Sequence, residues 1–190
     1  KQVVRRRVEV CITDSHDGLD SDGAIGAAGL ATTGTLSGSS ETESETAEPV
    51  EPTTLETIEA PGSSDGEVTV PAENRPTFVD FFGTWCPPCV EQMPALGEAA
   101  DRVGDDVLFV SVTTEDVGGS VSEDAVVEWW LKNDGDWLVA ADVTAELAAK
   151  LNVGAYPTAV AIDADGRVQW SASGVHTADE LVDGIETALE

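Results

Sequence analysis

Phe78-Val79-Asp80-Phe81-Phe82-Gly83-Thr84-Trp85-Cys86-Pro87-Pro88-Cys89 is the stretch from which the rest of the chain is read. An apolar run rich in β-formers, residues 76–82, suits a central strand buried on both faces. Asp80 is its one charged residue. A cysteine pair separated by two residues then stands at the start of a helix, where it can close a small disulfide ring. The first sulfur would face the unpaired N–H groups and positive end of that helix, which favours thiolate. The second would sit one turn in, shielded and suited to a resolving role. Pro87 and Pro88 restrict the loop and remove backbone donors, which tunes the thiolate and its redox poise. Cys-x-x-Cys is also half a zinc site. Its other ligands would have to come from Cys11, His16 and His176, and the two histidines are not spaced as a ligand pair. Covalent haem attachment wants His directly after the second cysteine, where Val90 stands. A purely structural disulfide remains a further reading.

Downstream of the pair, a helix should run to about residue 103 with a kink at Pro94. Residues 107–112 read as a second buried strand. Ser120 or Ser122 caps a helix through about residue 132, and Ser120 with Glu123 fits a capping box. Trp129 and Trp130 follow Ala125 and Val126 at core spacing. A strand at 137–141, a short helix capped by Thr144, and strands at 158–162 and 167–172 follow. The last two are joined by the turn Asp163-Ala164-Asp165-Gly166. Thr177 with Glu180 makes a second capping box opening the final helix. His176, just before it, reads as a surface residue. Upstream, residues 68–70 form a short strand stopped by Pro71. The order β-β-α-β-α-β-α-β-β-α describes an α/β domain with parallel crossovers first and an antiparallel hairpin last.

The 190 residues are unevenly used, with all ten aromatics at Phe78 or later. The core therefore belongs to the C-terminal two-thirds, and the domain is placed at residues 66–190. Residues 41–65, rich in Glu, Thr, Ser and Pro, read as an acidic solvated linker or stalk. Residues 1–40 read as a degenerate export signal or a disordered tail. Arg5-Arg6-Arg7 precedes a weakly apolar run, but Asp14, Asp17, Asp20 and Asp22 intervene. Cys11 reads as an incidental free thiol. The net charge is −28, with 37 acids against 9 bases. That excludes nucleic acid as main partner and an anionic membrane surface as docking ground. Such an acidic composition resembles that of proteins from salt-loving organisms.

Residues 78–89 resemble the active-site strand and loop of thioredoxin-fold proteins. Pro94 matches the family's helix proline. Gly154-Ala155-Tyr156-Pro157-Thr158 resembles the loop that presents a cis-proline beside the cysteines. Gln92-Met93-Pro94-Ala95-Leu96 and the helix inserted at 122–132 are similar to the secreted or membrane-tethered TlpA/ResA subgroup. The resemblance implies a thioredoxin fold: a central mixed β-sheet flanked by helices, after a disordered N-terminal segment.

It also implies a thiol–disulfide oxidoreductase, a reductase exchanging with partner proteins outside the cytoplasm, in cytochrome c maturation for many members. Cys86 would attack a partner disulfide and Cys89 would resolve the mixed disulfide. Asp80 would be the buried acid that takes the Cys89 proton. Pro157, if cis, would leave the preceding backbone free for an extended substrate and keep metal from the thiols. Trp85 and Tyr156 would cover the site and contact the partner. No cofactor or metal is implied; the partners are protein dithiols or disulfides and a protein reductant. The membrane would be met only through an N-terminal anchor, and a monomer is expected. The alternatives are a cytosolic thioredoxin, a protein disulfide oxidase, and a non-catalytic binding module of the same fold. Two departures stand out. Gln92 occupies a position where reductases of the subgroup often carry Glu, and residues 107–114 supply no Lys to pair with Asp80.

Overall fold

The computed structural model describes residues 48–190. The expectations for residues 1–40, for Cys11 and for residues 41–47 lie outside them. Seven strands form one mixed sheet: β1 (Thr53–Thr57), β2 (Gly66–Val70), β3 (Thr77–Phe82), β4 (Leu108–Thr113), β5 (Leu138–Ala141), β6 (Thr158–Ile162) and β7 (Val168–Ser173). Their spatial order is β2-β1-β5-β4-β3-β6-β7. Parallel pairing joins β3 to β4 and β4 to β5, while β6 runs antiparallel to β3 and β7. Four helices cover the sheet: α1 (Pro87–Val103), α2 (Glu123–Lys132), α3 (Glu146–Lys150) and α4 (Ala178–Glu186). This is the thioredoxin fold.

Strand alternation sorts the core into two halves. Phe78 and Phe82 of β3, with Phe109 of β4 and Val139 of β5, pack under α1, α2 and α4. Val79, Phe81, Val110 and Val112 face the other way, against Leu147 and Leu151 at α3. Asp80 stands between Phe78 and Phe82 in the strand and so lies on the α1 side. Its register partners are Ser111 in β4 and Ala159 in β6.

One boundary is corrected. Residues 53–65 are not linker: β1 is inserted between β2 and β5, with five register pairs to β2 and two to β5. Thr53, Leu55 and Thr57 are buried and alternate with exposed Thr54 and Glu56, and Ile58 reaches the core beneath α1. Hydrogen bonding on both edges holds a strand whose side chains alone are only weakly apolar.

Caps also differ in detail. Ser122, not Ser120, caps α2 by accepting from Ala125 N. Thr144 caps nothing at α3. Asp142 instead accepts from Glu146 N and Ala148 N at 2.9 Å each, while Ala145 takes a left-handed conformation. The Thr177–Glu180 capping box is formed. Trp130 is fully buried, and Trp129 stacks on Phe82 at 4.8 Å between centroids. Among the described residues no helix is long and apolar enough to cross a membrane.

Candidate active site

β3 delivers the chain to the end of the sheet where α1 begins. Gly83 lets the Trp85 indole lie against the backbone there, since a Cβ would meet Trp85 Nε1 at 2.8 Å and push the ring aside. Cys86 is the N-cap of α1, with extended backbone, and Pro87 and Pro88 occupy the first helical turn, where missing N–H groups cost nothing. The Cys86 sulfur accepts the Cys89 N–H at 3.2 Å. That contact puts negative charge developing on this sulfur at the positive end of a 17-residue helix. Cys86 and Cys89 are joined in a disulfide with Cα atoms 5.3 Å apart. Both are almost fully covered, 2% and 1% exposed, so a partner must approach the sulfurs through the surrounding walls.

Those walls contain the other expected residues. The Tyr156–Pro157 peptide is cis. Tyr156 packs against the core that includes both cysteines, and its ring meets that of Trp85 edge-on at 5.9 Å. Trp85 is 66% exposed, the most exposed large apolar side chain among the described residues. Structure therefore brings Cys86, Cys89, Trp85, Tyr156 and Pro157 to one pole, with Asp80 on the strand that leads there.

Asp80 is 1% exposed. Burial pushes its carboxyl up to about 7, against a smaller downward pull from the Ser111 hydroxyl. That hydroxyl donates to Oδ2 at 3.3 Å, and Oδ1 has no hydrogen-bond partner among the described residues. With no cation beside it, Asp80 is governed by desolvation, as the missing lysine predicts. A carboxyl that titrates near neutral pH can exchange a proton with a thiol, and a cysteine pair at a helix N-terminus, once reduced, can attack another disulfide as a thiolate.

Several residues of the site escape the sequence reading. Glu115, after β4, accepts from Thr84 N at 2.7 Å, from Thr84 Oγ1 at 2.8 Å and from Thr113 Oγ1 at 3.1 Å, which ties down the approach to Cys86. Thr114 and Tyr156 share a hydroxyl hydrogen bond at 2.5 Å. One short segment thus holds both the cysteine loop and the cis-proline loop. Gln92 is buried and bonds the backbone of His176, and Gly174 N donates to Pro157 O at 2.9 Å. His176 is half-buried at the surface: its side chain is 21% exposed and its ring meets Trp170 edge-on at 5.9 Å. No local sequence signal marks these contacts, because all but the Thr113–Glu115 bond join distant segments.

Comparison with known proteins agrees with this architecture. Thiol-disulfide oxidoreductase ResA of Bacillus cereus is 28% identical over 109 residues, 57% of this chain and 61% of that protein. The chain therefore spans about three-fifths of the ResA length. Sporulation thiol-disulfide oxidoreductase A of Bacillus subtilis is 25% identical over 121 residues, 63% of this chain and 72% of that protein. Among solved structures, the exposed lipoprotein thioredoxin of Streptococcus pneumoniae superposes with a TM-score of 0.60 at 21% identity. That match covers 72% of this chain and 98% of that one, and supports the fold. The family model described as Redoxin matches residues 53–189, the whole of the sheet with its helices, and the chain belongs to that family.

Proposed function

We propose that this protein is a thiol–disulfide oxidoreductase working as a reductase on partner proteins. The observation that carries the reading is the Cys86–Cys89 disulfide at the N-terminus of α1, with Cys86 Sγ accepting a helix N–H. In the dithiol form, Cys86 thiolate attacks a substrate disulfide and one substrate sulfur leaves. Cys89 loses its proton to Asp80, attacks Cys86 Sγ and releases the second substrate sulfur. The Cys86–Cys89 disulfide remains, and a protein dithiol must reduce it again. Asp80 is suited to this because it changes protonation near neutral pH. Trp85 and Tyr156 offer the substrate an aromatic contact beside the sulfurs.

The place of action follows as part of the same proposal: the outer face of the membrane, with residues 1–40 as signal or anchor. Support comes from the relatives. One solved neighbour is described as an exposed lipoprotein and another as a secreted disulfide oxidoreductase of Mycobacterium tuberculosis. Cytochrome c maturation would be one such duty, and the domain would act as a monomer.

The test is reduction of insulin disulfides by the full chain and by Cys86→Ser, together with the potential of the cysteine couple in thiol buffers at high salt. Activity lost in the variant, with a potential near or below about −250 mV, supports a reductase. A potential of about −120 to −180 mV points to an oxidase or isomerase. A pair that never equilibrates points to a binding module with a structural disulfide.

A further inference from the structure

Asp80 is the end of a buried hydrogen-bond chain that begins at an indole. Trp137 Nε1–H donates to Ser111 Oγ at 2.9 Å, and Ser111 Oγ–H donates to Asp80 Oδ2 at 3.3 Å. The direction is unambiguous, because an indole nitrogen can only donate. With one Ser111 lone pair occupied by Trp137, its hydroxyl hydrogen turns toward the carboxylate. The indole is itself held in place. It meets Trp130 edge-on at 4.9 Å and Phe109 at 5.8 Å, and Gly97 of α1 lies against its outer ring, where a Cβ would be 3.5 Å away.

We propose that Trp137, acting through Ser111, is a positioning residue for the Asp80 proton: the chain occupies Oδ2 and leaves Oδ1 as the oxygen open to Cys89. The proposal rests on the oxidoreductase reading. In the resolving step the Cys89 S–H bond breaks and its proton goes to Oδ1. The Cys89 electron pair forms the bond to Cys86 Sγ, and the substrate sulfur leaves with the electron pair of the broken mixed disulfide. The cysteine pair is oxidised and the substrate disulfide reduced by the same two electrons.

Among the described residues no side chain other than Ser111 is hydrogen-bonded to the Asp80 carboxyl. Its register neighbours are Ser111 in β4 and Ala159 in β6, and burial and the Ser111 hydroxyl are the two influences on its carboxyl. Neither of those neighbours carries a charge, and Cys86 and Cys89 of the core on this side of the sheet are joined in the disulfide. Asp142, the other buried carboxylate among the described residues, caps α3 on the opposite face.

The experiment is a carboxyl and indole NMR titration of the full chain, oxidised and reduced, beside the pH profile of insulin reduction. In the wild type the Trp137 Nε1–H resonance should move with the midpoint of Asp80, and should stop doing so in Ser111→Ala and Asp80→Asn. Ser111→Ala should raise the Asp80 midpoint by about one pH unit, since a hydrogen bond to the ionised form is lost. Trp137→Phe should raise it by less, and Ser111→Thr should restore it. A Trp137 resonance that stays flat through the Asp80 titration overturns the proposal, even if Trp137→Phe fails to fold. So does an Asp80 midpoint unmoved in Ser111→Ala. Absence of insulin reduction by the wild type would instead overturn the oxidoreductase reading, and the titration would still decide the hydrogen-bond chain.

Discussion

Gln92 grips both backbone polar groups of His176: its Oε1 accepts from His176 N at 2.6 Å and its Nε2 donates to His176 O at 3.1 Å. The amide is complementary to one peptide unit's worth of donor and acceptor, and it is 2% exposed. It locks α1, one turn past Cys89, to the segment that opens α4.

Gln92→Ala should therefore cost about 2–3 kcal/mol, since a buried N–H and C=O lose their partners. Gln92→Glu should be tolerated in acid and destabilising at about pH 8. An ionised carboxylate there would face the His176 carbonyl, so burial and repulsion raise its pKa, and stability falls as pH rises through the range where the unfolded chain ionises first. Urea melts of both variants at about pH 4 and pH 8 check this.

Asp80 makes a linked prediction. The unfolded chain releases this proton near 3.8, while the folded protein holds it to about 7. The folded state binds more protons across that interval, so Asp80 destabilises progressively from about pH 4 and fully above pH 7. Asp80→Asn should gain stability at about pH 8, by at most about 4 kcal/mol, and gain little at about pH 4. The same variant should slow resolution of the mixed disulfide by roughly 10²-fold, in keeping with loss of general-base help. Denaturant melts and single-turnover kinetics read the two effects separately.

Cys89→Ser should leave Cys86 able to attack but with nothing to displace the substrate. A mixed disulfide with a peptide substrate should accumulate to near one equivalent in the variant and remain transient in the wild type. Intact-mass spectrometry after acid quenching reads the difference.

Glu115→Ala removes three hydrogen bonds from one carboxylate, two of them to Thr84. The loop before Cys86 should then open more readily, with faster amide exchange at Thr84 by at least about tenfold and a lowered exchange rate with substrate. Glu115→Gln, which keeps an acceptor and gains a donor, should lie between the two. Hydrogen-exchange mass spectrometry over the 83–89 segment is the measurement.

The net charge of −28 predicts a stability that depends on salt. Raising NaCl from about 0.1 M to about 2 M should raise Tm by roughly 5–10 °C, because screening shortens the reach of carboxylate repulsion from about 10 Å to under 3 Å. A flat or falling Tm would show that the acidic surface carries no such strain.

The redox pair was legible in the sequence because its chemistry is local: Trp85 through Cys89 form one turn and the start of one helix. Asp80 was legible as a lone charge in an apolar strand, and Tyr156-Pro157 through the resemblance. β1 was not, because residues 41–65 have the average composition of a linker and Thr53–Thr57 become a strand through pairing with β2 and β5. The contacts of Gln92 with His176, of Ser111 with Trp137 and of Glu115 with Thr84 were equally hidden. Each joins residues from different elements and exists only once the sheet is assembled. The start of α3 was misread because a serine or threonine is the commoner cap, and here Asp142 reaches across a left-handed Ala145 to do the work.

The N-terminal end of the described chain is pinned by Val50 N donating to Gly166 O, in the turn between β6 and β7. That turn lies beside the beginning of β3, where Thr77 pairs with Ile162, whereas the cysteines follow its far end. The chain thus enters the domain at the pole opposite the sulfurs. The full length of β3 therefore separates the sulfurs from the turn on which Val50 is anchored.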